Sequence, residues 1–278
     1  MEGLVRIEQC RPSRYMTVLG QRFMDRYALA PYTDPDKPAI FFGCYYVTQK
    51  GVECRADIDA VLKHRSFAAI IWTGSDIMRV CDPAFAELRA RKNVHHIANS
   101  SFIASDLFAA NLPFVNLPLC ASNLSMFSPM PKGPCVYSYL SHSRPELYGN
   151  AYIPQIRAAI PDLEIIEGYS TPPGNHAYEQ MPAIYARCFM GLRLTLHDGF
   201  PNTVVEMGVM GRPCLWNAYM PNAIPWFGID DIVDSIREER KHVGEMDVRT
   251  ADRCKAFMDV GDGWLHTSFY EAEEPCLP

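Results

Sequence analysis

The chain has 278 residues, with 26 lysines and arginines against 32 aspartates and glutamates, a formal charge of −6. Its 48% apolar and 21% charged residues are those of a folded globular protein, which excludes a disordered, collagen-like or coiled-coil chain. At roughly 150 residues per domain the length predicts two compact domains or one unusually large one. The acidic balance, with no basic patch set against it, argues against nucleic acid as a partner.

Ten cysteines are scattered without a C-x-x-C pair or a matching pair of histidines, which predicts reduced, mostly buried thiols and no zinc site. The N-terminal MEGLVRIEQC lacks the apolar core of a signal peptide. The longest unbroken apolar run, Phe67 to Trp72, is far too short to span a membrane. These features predict a cytoplasmic protein with no transmembrane segment.

After an N-terminal stretch with no clear pattern, Pro38 to Tyr46 (PAIFFGCYY) reads as a buried strand. Ala56 to His64 reads as a helix, Phe67 to Trp72 as a strand, and Asp82-Pro83 opens a helix running to Arg91. Asn93 to Ala98 (strand), Phe102 to Ala110 (helix) and Phe114 to Leu119 (strand) continue the alternation, which is that of a parallel sheet covered on both faces. Asn123 to Pro134, rich in proline, reads as an interdomain turn. Beyond it come strands at Cys135 to Leu140, Leu163 to Ile166, Met190 to Leu196 and Pro213 to Trp216. Helices alternate with them at Glu146 to Ile160, Tyr178 to Cys188 and Asn202 to Met210, and a charged helix follows at Ile232 to Val243. The predicted fold is α/β, with domains at 1–125 and 126–245 and a C-terminal segment, 246–278, whose aromatic WLHTSFY reads as a helix, either docked back on the first domain or isolated on the surface.

Open parallel sheets bind ligands outside the carboxyl ends of their strands. The stretch Gly191 to Asn217 is the most informative there. A strand delivers His197, Asp198 and Gly199, Pro201 limits the turn, and Asn202 or Thr203 is placed to cap a helix. A helix N-terminus at such a place favours phosphate. Glu206, three residues after Thr203, projects back over that first turn and is suited to accept hydrogen bonds from sugar hydroxyls. Phosphate and hydroxyls together point to a nucleotide or nucleotide-sugar.

The segment resembles the donor-binding motif of GT-B glycosyltransferases, in particular the large retaining family. Its pattern is an acidic residue, seven residues, then Glu, a small-residue helix and Gly-basic-Pro before a strand. Here it reads Asp198, seven residues, Glu206, then Gly211-Arg212-Pro213, and the likeness covers roughly Cys135 to Asn217. The resemblance implies two Rossmann-like domains facing across a cleft, a nucleotide-sugar donor, a carbohydrate acceptor and no essential metal. It implies that Glu206 holds the donor ribose, Thr203 and nearby backbone meet the diphosphate, and Asp198 lies near the sugar. Arg144, with Tyr148, completes the phosphate clamp, and Arg193 is a further candidate. The family carries Glu where this chain has Asp198, a shorter side chain. FFGCYY, IIWTGSD and the overall length resemble compact glycosyltransferases of chloroviruses. That resemblance implies a UDP-sugar donor such as UDP-xylose, and the host cytoplasm as location.

Bland readings stand beside these. Glu206 is otherwise a solvated helix residue, and Asp198 a turn former. Asp76 follows a predicted strand, where it serves either as general base for an acceptor hydroxyl or as N-cap of the next helix. An inverting enzyme needs such a base, and the reading leans to inversion. His142 and His176 lie in loops that could touch phosphate or nucleobase, or simply fill them. There is no G-x-G-x-x-G after the first strand, no G-K-[ST] and no G-x-S-x-G, which removes the main support for dinucleotide, P-loop and hydrolase readings. The alternatives kept are a nucleotide-sugar epimerase of the same fold, a non-catalytic two-lobed carbohydrate-binding protein and a nucleotide-binding module.

Overall fold

The structure is a computed structural model that describes residues 5–49, 52–169 and 171–272. The chain forms two compact units. The first comprises the residues up to Ser122 together with Asp198–Phe200 and the residues from Val260. The second comprises Asn123–His197 and Pro201–Asp259.

In the first unit the elements are β1 (Gln9–Pro12), α1 (Thr17–Tyr27), β2 (Ala30–Pro31), β3 (Ala39–Phe42), β4 (Val47–Gln49), β5 (Val52–Cys54), α2 (Ala56–Lys63), β6 (Ala68–Ile71), α3 (Ala86–Arg89), β7 (Val94–Ala98), α4 (Ser101–Ala109) and β8 (Phe114–Asn116). Six strands make one sheet in the order β2-β1-β3-β6-β7-β8, every pairing parallel, and β4 and β5 form a separate antiparallel hairpin. β3 (AIFF) and β6 (AAII) are buried on both faces, hence their unbroken apolar sequence. Ala39, Phe41, Ala68, Ile70 and Trp72 pack with Ile58, Val61 and Leu107 of α2 and α4. Ile40, Phe42, Ala69 and Ile71, alternating with them, meet Phe23 and Met24 of α1 and also Trp264 and Leu265. The late aromatic segment expected as a helix is a single 3-10 turn at Gly263–Leu265 and a short helix, Phe269–Ala272. It is tied to the N-terminal chain by Ile7 N to Leu265 O, 2.6 Å, and Thr267 N to Val5 O, 3.0 Å.

The N-terminal stretch without a pattern is β1, α1 and β2. β1 (QCRP) looks unlike a buried strand because Gln9 is polar. Its amide nonetheless donates to Asp34 O and Lys37 O (2.6 and 2.9 Å) and accepts from Thr33 N and Asp34 N (3.1 and 3.2 Å), so burial leaves it satisfied. The strand expected to reach Tyr46 ends at Phe42. Two buried carboxylates take the next amides out of the ladder, Asp76 accepting from Cys44 N at 3.0 Å and Asp57 from Tyr45 N at 3.2 Å. The helix expected from Asp82 is split into a 3-10 turn, Pro83–Phe85, and α3.

The second unit contains β9 (Cys135–Leu140), α5 (Tyr152–Ala159), β10 (Ile165–Tyr169), α6 (Met181–Ala186), β11 (Cys188–Leu192), α7 (Asn202–Val209), β12 (Cys214–Leu215), β13 (Ala223–Ile224), α8 (Ile229–Glu239) and α9 (Val248–Phe257). Its sheet has the order β10-β9-β11-β12-β13, again wholly parallel. Val136 and Leu140 pack with Ile153 and Ile156 of α5 and Ile232 and Ile236 of α8. Tyr137 takes the alternate face and meets Tyr185 of α6 edge-on, with centroids 5.1 Å apart. The helix expected from Glu146 begins only at Tyr152.

Residues 246–259, expected in the C-terminal segment, group with this unit. α9 lies against α7, where a Cβ on Gly208 would come within 2.8 Å of Cys254 Sγ, and a Cβ on Gly211 (φ +77°) within 2.2 Å of Asp247 O. Arg212 of the Gly-Arg-Pro motif is wholly buried. Its guanidinium donates to the carbonyls of Cys188 (2.8 Å), Met210 (2.7 Å), Pro131 (3.0 Å) and Ala186 (3.4 Å), fastening the linker to the sheet. Burial draws its pKa down to about 10.

None of the nine described cysteines is paired, and Cys276 lies outside the described residues. Among the described residues no helix is long and apolar enough to cross a membrane.

Candidate donor site

In the second sheet the chain lays β10 on one side of β9 and β11 on the other, so the strand order reverses between β9 and β11. A crevice opens at the carboxyl ends of the strands at such a reversal. The loops leaving β9 and β11 carry most of the residues singled out from the sequence.

Arg193 follows β11 and donates its backbone N–H to Leu215 O at 2.9 Å. Its side chain is 94% buried, with the guanidinium carbon 4.8 Å from the ring centre of Tyr139 and 4.9 Å from that of Tyr148. A cation placed between two aromatic faces is held in position without losing its charge. Tyr148 is thus half-buried and serves Arg193. Its neighbour Gly149 (φ +68°) is required because a Cβ there would lie 2.5 Å from Leu194 O. Arg144 is exposed, and its backbone N–H donates to Ser141 Oγ at 3.2 Å. His197 is half-buried at the start of the turn into α7.

α7 begins at Asn202, so neither Asn202 nor Thr203 caps it as expected. Pro201 holds the cap position and makes no side-chain cap bond. Pro201 O accepts from Val204 N (3.1 Å) and Val205 N (3.3 Å). Asn202 is half-buried, while Thr203 and Glu206 are buried. The Glu206 carboxylate accepts from Tyr185 Oη at 3.0 Å. Burial, then the Glu206 charge, push the Tyr185 pKa well above its ordinary value, so this phenol stays a donor. Tyr137 registers both neighbours: burial and the Glu206 charge raise its pKa, and Arg193 opposes them. Glu206 and Arg193 therefore act on one group.

Asp198 and Gly199 group with the first unit. Asp198 is half-buried, with Oδ1 accepting from Gly199 N at 2.9 Å and its carbonyl from Ser100 Oγ at 3.0 Å. A Cβ on Gly199 would sit 2.3 Å from Thr73 O, so the glycine serves backbone packing. The same Thr73 donates its N–H to Asp76 (3.0 and 3.2 Å to the two oxygens).

Asp76 is 2% exposed and also accepts from Cys44 N and from Thr73 Oγ1 at 3.3 Å. Burial raises its pKa while the amides pull it down. It ties together the loops after β3 and β6. It stands at the N-cap position of the 3-10 turn Ile77–Arg79, as one of the two readings expected, but makes no side-chain cap bond there. His142 lies flat on Tyr169, with centroids 4.0 Å apart and planes 3° from parallel, and its Nε2 bonds Pro173 O at 2.9 Å. His176 Nε2 bonds Glu167 O at 3.2 Å.

Tyr139 and Tyr185 escaped the sequence reading. The signal available was the two-residue spacing of Tyr137 and Tyr139 on β9, which puts both on the face covered by α6 and α7. Among the described residues no group of three or more histidine, cysteine or acidic side chains is placed to hold a metal ion.

No family model matches the chain, and no curated protein matches it in sequence. Among solved structures, sucrose-phosphate synthase from Thermosynechococcus elongatus is similar at a TM-score of 0.59 and 9% identity, over 92% of each chain. TarM is similar at a TM-score of 0.54 and 9% identity, over 87% of this chain and 54% of that one, so the chain spans about half the length of TarM. The fold is GT-B, built of two Rossmann-like units.

Proposed function

We propose that the protein is a glycosyltransferase that moves a sugar from a nucleotide donor to a hydroxyl of a glycan acceptor. The observation that carries the reading is that the first turn of α7, with buried Glu206 on it, and buried Arg193 after β11 both belong to the strand-order reversal between β9 and β11, where Glu206 and Arg193 act on the same Tyr137. The helix N-terminus and the guanidinium suit a diphosphate, and a carboxylate beside them suits the ribose hydroxyls. Arg144, exposed after β9, supplies a second cation. The same groups stabilise the negative charge that develops on the departing diphosphate, so no metal is assigned to that task. Glycosyl transfer is also in keeping with the fold's likeness to sucrose-phosphate synthase.

Asp198 is assigned to the reacting sugar. Asp76 is reassigned: its burial and its bonds to three donor groups fit an anchor of the loops after β3 and β6, and a base for an acceptor hydroxyl needs an accessible lone pair. A UDP-linked donor, with UDP-xylose the first to try, is proposed on the resemblance alone.

The test is nucleotide release across UDP- and GDP-sugars, with and without glycan acceptors, by wild type and Glu206→Ala. The reading expects acceptor-dependent release that the variant loses; equal release by both would overturn the donor site. The anomeric coupling of the product, read by NMR, assigns inversion or retention.

A further inference from the structure

In the second unit one phenol bonds two side chains from the same end of α7. Tyr185 of α6 is 1% exposed and donates through Oη to Glu206 Oε2 at 3.0 Å. The Thr203 hydroxyl, three residues before Glu206, bonds the same phenol and opposes the rise of its pKa, as a donor does, so the proton of Tyr185 is left for Glu206. The ring is held on two sides: Tyr137 meets it edge-on with centroids 5.1 Å apart, and Phe127 lies against it at 6.1 Å and 35°. Gly168 of β10 makes room for this arrangement, because a Cβ there would overlap Tyr137 Oη.

We propose that Tyr185 is a positioning residue that holds Glu206 in the orientation that accepts from a ribose hydroxyl, which makes the donor site select ribonucleotides over deoxyribonucleotides. This rests on the glycosyl-transfer reading for the presence of a nucleotide. A diphosphate on the first turn of α7 repels a carboxylate on that same turn. A glutamate side chain, with three rotatable bonds, then turns away or takes up a proton unless something holds it. The fixed phenol is that hold, and its bond to the carboxylate is charge-assisted. A carboxylate has about four lone-pair sites on its two oxygens, so it can serve the phenol and a ligand hydroxyl together. A nucleotide without that hydroxyl leaves the buried acceptor unmet, which is what turns the contact into selectivity.

Packing alone does not ask for the hydroxyl. A phenylalanine at 185 fills the space between Phe127 and Tyr137 equally well, and a buried phenol costs free energy unless it is bonded. The hydroxyl is accounted for by its two partners on α7, Thr203 and Glu206, both buried. Thr203 changes task with it. Its side-chain proton goes to Tyr185, so what Thr203 offers a diphosphate is its backbone N–H on the first turn.

The test uses the full chain and calorimetry with UDP, 2′-deoxy-UDP and 3′-deoxy-UDP, with the GDP series run beside it. Wild type is expected to bind at least one deoxy analogue about ten- to hundredfold more weakly than its parent nucleotide. In Tyr185→Phe that ratio is expected to fall to about threefold or less, because the parent weakens while the analogue keeps its wild-type affinity. The unchanged analogue affinity also shows that the site is still formed. Tyr137→Phe, which removes the same atom from the neighbouring ring, is expected to keep the wild-type ratio. A wild-type ratio in Tyr185→Phe overturns the positioning role and leaves the donor site standing. An equal fall in Tyr137→Phe overturns it as well, because packing and not the Tyr185 proton then sets the ratio. Wild type that binds parent and analogues alike overturns the ribose selectivity. Wild type that binds neither UDP nor GDP overturns the nucleotide reading, and this proposal with it.

Discussion

The two units reverse their strand order in the same way, and they furnish the reversal differently. In the second unit the crevice receives a helix N-terminus, a buried arginine between two tyrosines, and a glutamate held by a third tyrosine. In the first unit the corresponding loops rest on two buried carboxylates and present aromatic rings. Topology thus decides where a ligand sits, and the side chains at the loop bases decide its charge. On the proposed reading the diphosphate goes to the second crevice.

The contrast breaks most sharply at Glu206. Glu206→Ala is expected to lower donor turnover by about 10²-fold or more, measured as nucleotide release at saturating acceptor, while Glu206→Gln keeps part of it. Arg193→Met is expected to weaken UDP binding about tenfold by calorimetry, since one charge-assisted contact is lost. Asp76→Asn tests the anchor in the first unit. The expected outcome is a loss of about 1 to 3 kcal/mol in unfolding free energy with kcat changed less than about threefold. A general base would instead cost about 10² to 10⁴ in kcat with stability unaltered.

The smallest effect separates the units by pH. The histidines whose pKa is resolved as lowered, His64, His95 and His96, all lie in the first unit. His96 is buried against Trp72, whose Nε1 donates to its Nδ1 at 3.2 Å, and burial lowers its pKa from 6.5 to about 3. Between those values the unfolded chain binds more protons, so stability falls as pH drops through the window, by at most about 1.4 kcal/mol per pH unit for this group. Asp76, with its raised pKa, works in the opposite sense just above the ordinary carboxylate range. Hydrogen exchange at pH 7 and pH 5 should show the first unit losing protection and the second changing less. His96→Gln, which keeps an acceptor for Trp72, should flatten the difference.

Strands buried on both faces announce themselves in the sequence, and β3, β6 and β9 are legible for that reason. The Asp198-to-Glu206 spacing likewise marks the turn into α7, because one chain segment carries the whole pattern. β1 was illegible because a polar side chain, Gln9, satisfies itself through turn backbone 24 to 28 residues away, a pairing no local window contains. The role of Asp76 depends on Cys44, 32 positions earlier, and the sandwich around Arg193 on Tyr139 and Tyr148, on a different strand and loop. Arg212 looked like a motif letter, yet its work is to gather four carbonyls from three segments.

Trp264 has a consequence for the order in which the chain becomes a protein. It is 1% exposed in the core of the first unit, 5.1 Å from Tyr27 and 6.2 Å from Phe23 by ring centroid. During synthesis the second unit has nearly all its residues before Trp264 leaves the ribosome, so the half that is made first is the half completed last. Until then the apolar face of Ile40, Phe42 and Ile71 is covered only in part, by Phe23 and Met24 of α1, and that nascent surface is where chaperone capture or aggregation would begin.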